Sequence, residues 1–308
     1  MTFSTVIRRS FYEEFDPRAL AALEGLDFKA RYVMEGFLTG LHDSPFHGFN
    51  VEFSDYRDYQ PGDDLRHLDW RRYARSDKLY IKRYMQETNT RFYVVCDTSA
   101  SMAYRGSAAW GSKLDVARIL AAALSWFLLK QNDAAGMITL NGADDIPRFI
   151  RPSQSASQFG IMLRHLENLQ PAGGPRLAQL LAHTIRLVNA RSIILFFSDL
   201  LEPASEIELA FKQLRFEGHE CLVFQVLDRD EIEFPFQEPQ LFEDLESGAR
   251  REIRPDAVRE RYLARFNEFM AQHRQLFQGL AMPHCVERTD DNPWRALAMF
   301  LAERKKLK

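Results

Sequence analysis

The chain has 308 residues, room for two domains or for one domain with an appendage. Its hydrophobic content of 46% is ordinary for a globular protein with a sizeable core, and its net charge is only −3, with acids and bases interspersed. No basic tail or polybasic stripe is present, which argues against nucleic acid or an anionic membrane surface as a partner. The amino terminus lacks the continuous apolar core of a secretory signal, and the longest nearly apolar run, 119–129, is about half a membrane span. Cys96, Cys221 and Cys285 lie far apart without metal-ligand spacing and read as reduced core thiols. These features point to a soluble, cytoplasmic protein.

The first predicted element is a helix over 16–42. Asp16-Pro17 gives an N-cap with proline at the first helical position, and Ser44-Pro45 ends the pattern. Residues 46–90 alternate charges with aromatics, from Phe53 and Tyr56 to Tyr80 and Tyr84, and Leu79 to Tyr84 alternates like a strand. So many aromatics exclude a disordered linker. From residue 91 onward strands and helices alternate. Phe92–Cys96, Ala135–Leu140, Ser192–Phe197 and Cys221–Leu227 read as buried strands, with Ile146–Ile150 as a short hairpin partner. Lys113–Lys130, Ser157–Leu169, Arg176–Asn189 and Ser205–Phe216 read as helices. Residues 228–254 read as β excursions with a turn at Ser247-Gly248. A helix over 256–277, an edge strand at 284–288 and a closing helix over 293–306 complete the order. The fold class is therefore α/β, a doubly wound and mostly parallel sheet with helices on both faces. The expected division is an amino-terminal helix with a charged, β-rich segment over 1–90, then the α/β domain over 91–308.

The run Arg91 to Met102, RFYVVCDTSASM, carries the chemistry. A buried strand ends in Asp97, and Ser99 and Ser101 follow at spacings of two and four. Open α/β sheets place their sites at such carboxyl ends of strands. Three hard oxygens close together suit Mg²⁺ or Mn²⁺. The apolar strand IILFF leads likewise into Ser198-Asp199. The same residues are good turn and cap formers, so Asp97, Ser99 and Ser101 also read as capping the turns after them, and Asp199 as capping the helix near Ser205.

Asp97-Thr98-Ser99-Ala100-Ser101 resembles the DxSxS motif of von Willebrand factor A domains. The segment FSDYRDYQPGDDLRHLDWRRYARSDKLYIKRY, residues 53–84, resembles the hallmark of domain-of-unknown-function family fifty-eight, which precedes a von Willebrand domain. Tyr56, Arg57, Tyr59, Pro61, Gly62, Asp63, Asp64, Arg66, Asp69, Trp70, Ala74 and Arg75 fit that pattern. The resemblance implies a von Willebrand factor A-like fold and a non-enzymatic adaptor that works beside a MoxR-type AAA ATPase in protein assembly or stress responses. It also implies a metal-ion-dependent adhesion site built from Asp97, Ser99, Ser101, a loop threonine and Asp199. The threonine position falls on Pro175, after Gly173-Gly174, and proline has no side-chain ligand.

Arg57, Asp63, Asp64, Arg66, Asp69 and Trp70 read as an ion-paired brace or as a partner-docking surface, two roles that are not exclusive. The competing function is a metal-dependent hydrolase using Asp97 and Asp199 around a cation. A serine hydrolase and a P-loop nucleotide enzyme are disfavoured, because neither GxSxG nor GxxxxGK[ST] occurs.

Overall fold

The computed structural model describes residues 20, 23–42, 56–58, 80–82, 90–141, 146–174 and 177–306. The chain forms two compact units, one of 41–89 and one of 1–40 with 90–308. In the smaller unit, β1 (Tyr56–Asp58) and β2 (Tyr80–Lys82) pair antiparallel, with Arg57 opposite Ile81. The Arg57 side chain and all of Asp63, Asp64, Arg66, Asp69 and Trp70 lie outside the described residues.

The larger unit opens with α1 (Leu26–His42). Of the helix expected over 16–42, residues 16–19 and 21–22 lie outside the described residues; 23–25 are not helical, with Gly25 in the left-handed conformation at φ +83, and the helix begins at Leu26. Ala30, Val33, Met34 and Phe37 are buried along α1 at the spacing of one helical face.

Beyond α1 lies a six-stranded sheet: β3 (Arg91–Cys96), β4 (Ala134–Asn141), β5 (Ile146–Ser153), β6 (Ser192–Ser198), β7 (Glu220–Leu227) and, further along the chain, β10 (His284–Arg288). The spatial order is β10-β7-β6-β3-β4-β5, and only the β4–β5 hairpin is antiparallel. Numbered by appearance within the sheet, this order is 3-2-1-4-5-6, the doubly wound arrangement whose direction reverses between the first strand and the fourth. Here that switch point lies between β3 and β6, and it is where Asp97 and Asp199 emerge.

Helices cover both faces. The central strands β3, β4, β6 and β7 are buried on both sides and read as apolar runs for that reason, whereas the edge strands β5 and β10 are partly exposed. Tyr93 and Val95 of β3 join a core with Ile194, Phe196, Leu180 and Phe211, beneath α4 (Leu177–Leu187) and α5 (Ala204–Phe216). Phe277, from the long helix α7 (Pro255–Gly279), closes that core edge-on to Phe211 at 5.1 Å. Phe92 points to the other face and meets Phe300 of α8 (Trp294–Lys306) at 6.4 Å, beside Phe127 of α2 (Lys113–Lys130). Helix α3 (Gln158–Glu167) packs beside α2. All three cysteines are free and buried. No helix among the described residues is long and apolar enough to cross a membrane.

The excursion after β7 is only partly β. Residues Arg229–Glu233 form a short helix, α6, because Asp228 and Glu231 make a reciprocal capping box at its start. The expected hairpin follows: β8 (Gln240–Glu243) pairs antiparallel with β9 (Arg250–Ile253), with Gly248 at φ +70 in the turn.

At the sheet edge, Glu287 of β10 is fully buried. Burial pushes its carboxyl up to about 8, with a smaller push from Asp291, against the Cys285 thiol, the Arg295 guanidinium and the Ala296 N–H at the start of α8. The native state therefore holds a proton that the unfolded chain releases at ordinary carboxylate pH, so the stability tied to Glu287 falls as pH rises through the acid range toward about 8. Glu287→Gln removes this slope. In thermal melts, the wild-type advantage over Glu287→Gln is expected to shrink from pH 5 to pH 8; a constant difference would refute the assignment.

Candidate functional site

The ladder delivers Asp97 to the switch point. Its N–H donates to the Phe197 carbonyl at 2.9 Å, continuing the β3–β6 pairing past Cys96. Its carboxylate is anchored at both oxygens: Oδ1 accepts the Ser99 N–H at 2.9 Å and Oδ2 accepts the Ser198 hydroxyl at 2.6 Å. Ser99 precedes a 3₁₀ turn over Ala100–Ala103 but makes no side-chain cap there. Its hydroxyl instead lies 3.0 Å from that of Ser101. The capping reading therefore holds for Asp97, whose carboxylate receives the Ser99 N–H, and fails for the two serines, whose hydroxyls face each other.

The Gly-Gly loop is tied to the same place. Ala100 donates to the Gly173 carbonyl at 3.2 Å, Ala172 donates to the Thr98 carbonyl at 2.9 Å, and the Thr98 hydroxyl donates to Leu140 O at 3.0 Å. Pro175 itself lies outside the described residues. Glu202 accepts the Leu177 N–H at 2.7 Å and so caps α4 just beyond that loop.

Asp199 follows β6 and does not cap α5, whose N-cap is Pro203. Its Oδ1 receives the Leu201 N–H at 3.3 Å in a local turn that takes Leu200 to φ +56. Its Oδ2 accepts from Lys113 at 2.8 Å, and the same ammonium reaches Glu231 Oε1 at 2.7 Å. Lys113 is 0% exposed. Burial works to lower its pKa, but the two carboxylates outweigh that and raise it, so the lysine is charged. Gln225 holds the Asp199 carbonyl at 3.0 Å and turns its own carbonyl to His284 Nε2, also at 3.0 Å.

The side chains around this point border a cleft of about 230 Å³, open solvent included. Asp97, Ser99 and Asp199 line it together with Glu202, Glu246, Leu177 and Leu201. Burial first, then the neighbouring Asp199, push the Asp97 carboxyl up to about 6, against the Ser198 and Ser99 hydrogen bonds. Asp97 is thus short of positive charge, whereas Asp199 has Lys113.

A sequence model of the family described as "Protein of unknown function DUF58" matches residues 55–275. The chain belongs to the DUF58 family. It is 28% identical over 298 residues to Uncharacterized protein Rv1480 of Mycobacterium tuberculosis, which covers 94% of this chain and 91% of that protein. The same figures hold for Uncharacterized protein Mb1516 of Mycobacterium bovis. Among solved structures it is similar to the conserved hypothetical protein BatB from Bacteroides thetaiotaomicron. That match has a TM-score of 0.45 and 15% identity, over 70% of this chain and 99% of that one. The strand order, with DxSxS at the end of the first sheet strand, is that of the von Willebrand factor A-like fold which the DUF58 resemblance implied.

The donor set of this DUF58 protein suits a hard cation. Asp97, Ser99, Ser101 and Asp199 offer carboxylate and hydroxyl oxygens only, as Mg²⁺ and Mn²⁺ prefer. Among the described residues no three His, Cys, Asp or Glu side chains are grouped closely enough to hold an ion by themselves, so the serine hydroxyls and water would have to complete the shell.

Lys113, Glu231, Glu202 and Glu246 are absent from the sequence reading of the site. One signal pointed to Lys113: a lysine at the first position of a helix faces the positive end of the macrodipole, an unfavourable place without a nearby acid. The acids carried no such signal, since Glu231 and Glu246 reach the site from the segment after β7.

Removing the lysine leaves two carboxylates without their counter-ion. Lys113→Met is expected to lower unfolding free energy by about 3–5 kcal/mol in chemical denaturation, the cost of breaking a buried pair. A loss below about 1 kcal/mol, the worth of a surface pair, would contradict this account.

Proposed function

We propose that this protein is a non-enzymatic protein-interaction module. Its DxSxS face holds Mg²⁺ or Mn²⁺ through Asp97, Ser99, Ser101 and Asp199 and presents that site to a protein partner. The observation that carries the reading is the convergence of these four residues at the β3/β6 switch point, beside a cleft that opens to solvent. Asp97 supports it further: a buried carboxylate pushed up to about 6 by burial and by Asp199 gains from a positive charge beside it. A bound cation would supply an open coordination position for a carboxylate on the partner. The chain's own residues do the rest. Ser198 and the Ser99 N–H orient Asp97, Lys113 fixes Asp199, and the exposed Leu201 at the cleft gives a docked partner apolar contact.

The DUF58 resemblance suggests a MoxR-type AAA ATPase as that partner, with this protein as its adaptor in protein assembly or stress response. The hydrolase alternative needs a carboxylate free to act as base. Asp97 and Asp199 serve as cation ligands in either reading, Glu202 is engaged with the Leu177 N–H, and no histidine among the described residues lines the cleft, which favours binding over catalysis.

Calorimetric titration of Mg²⁺ and Mn²⁺ into the wild type should give saturable heat that Asp97→Ala abolishes. Equal or absent heats in both would sink the cation site. Affinity capture from the native host should retain a MoxR-type ATPase without EDTA and lose it with EDTA. Robust turnover of phosphatase or esterase substrates, lost in Asp97→Ala, would overturn the adaptor reading.

A further inference from the structure

We propose that His273 of α7 and His284 of β10 form an acid-sensitive latch, which holds α7 against the edge of the sheet at neutral pH and releases it on acidification.

The two rings meet where α7 packs on β10. His273 is 0% exposed. Its ring lies 4.2 Å from Phe269 and 6.5 Å from Phe277, and Phe277 in turn lies 4.8 Å from His284. Hydrogen bonds fix the neutral form of each imidazole. His273 Nδ1 is 3.0 Å from the Phe269 carbonyl and donates to it, which leaves Nε2 a bare lone pair, buried with no hydrogen-bond partner. Gln225 gives its amide N–H to the Asp199 carbonyl at 3.0 Å, so its own carbonyl accepts from His284 Nε2, also at 3.0 Å. The seam is thereby joined to the loop that carries Asp199.

A second proton on either ring finds no partner. On His273 it would fall on the buried Nε2, and on His284 on Nδ1, the nitrogen that Gln225 leaves unused. The groups that face the pair are neutral or positive: Arg274 and the Phe269 carbonyl on α7, Gln225 on β7, and the Glu202 main chain after β6. Among the described residues neither imidazole has an ion pair. Burial holds His273 below the usual histidine range, against the Phe269 carbonyl and the Glu202 main chain. Burial first, then His273 and Arg274, push His284 down to about 4. A detached α7 returns both rings to water, where they take up protons at ordinary histidine pH. The closed state therefore has its full advantage above about 6.5 and loses it as pH falls toward about 4.

The loss falls on α7 because little else anchors it. Of its 25 residues only Pro255, His273 and Phe277 are buried, so His273 is half of the buried anchor at its carboxyl end. An element held by so few buried contacts opens before the sheet does.

The test is amide hydrogen exchange of the full-length chain at pH 7 and pH 5, corrected for the intrinsic effect of pH. It compares wild type, the double variant His273→Asn/His284→Gln, and His183→Gln on α4 as a control. Asparagine keeps a donor for the Phe269 carbonyl, glutamine keeps one for Gln225, and neither titrates. Opening of 262–280 is expected to rise about tenfold or more from pH 7 to pH 5 in the wild type and the control, and less than about threefold in the double variant, with α2 protected throughout. His284→Gln alone, at a partly exposed position, is expected to blunt the rise at least about threefold and decides the matter if the double variant does not fold. No rise in the wild type, an equal rise in the variants, or equal opening of α2 would overturn the latch.

Discussion

The architecture of the site turns on one buried ammonium. Lys113 starts a helix whose dipole opposes it, lies entirely out of solvent, and bridges Asp199 and Glu231, which come from the ends of β6 and β7 by way of the capping box of α6. A charge so placed is tolerable only with partners at hydrogen-bonding distance. The triad therefore fixes three elements at once: the first turn of α2, the loop after β6 and the short helix after β7. Because α2 also covers one face of the sheet, a requirement of charge at the site becomes a requirement on the placement of a core helix.

A second set of contacts holds the loop between DxSxS and α2. Asp228 accepts the Gly106 N–H at 2.9 Å and the Thr289 hydroxyl at 2.6 Å, and Tyr104 donates to Asp230 at 3.3 Å. A side chain at position 106 would begin 2.2 Å from Asp228 Oδ1, so only glycine lets the backbone approach this closely. The two Ser hydroxyls are thus presented from a loop braced at both ends, by Phe197 and Leu140 on one side and by Asp228 on the other. A loop braced in this way keeps little conformational freedom to lose, which lowers the cost of any binding there.

Most of the fold was legible in the sequence, and the reason is periodicity. Strands buried on both faces are short apolar runs, and the helices between them carry stripes and caps, so β3, β6, β7 and α2 lie close to where the pattern puts them. Gly25 and the Asp228 capping box escaped because each depends on one or two residues against a longer trend. The site was half legible. Asp97, Ser99, Ser101 and Asp199 stand at strand ends in a recognisable spacing. Glu231 and Glu246 arrive from an insertion whose path the sequence does not fix, and Lys113 was absorbed into an apolar helix. Side chains brought together by tertiary packing leave little trace in local pattern.

The distribution of positive charge gives the site its character. Lys113 serves Asp199 and Glu231, whereas Asp97 is steadied by neutral donors, Ser198 and Ser99. Neutral hydrogen bonds orient a carboxylate but do not cancel its field, and Asp97 is pushed up to about 6 by burial and by Asp199 despite them. Two aspartates at one switch point are therefore unequal: one is neutralised by the fold, the other is left with a deficit that faces the cleft. That asymmetry, with Asp97 uncompensated on the lining of the cleft and Asp199 paired, is the feature on which the proposed cation reading rests.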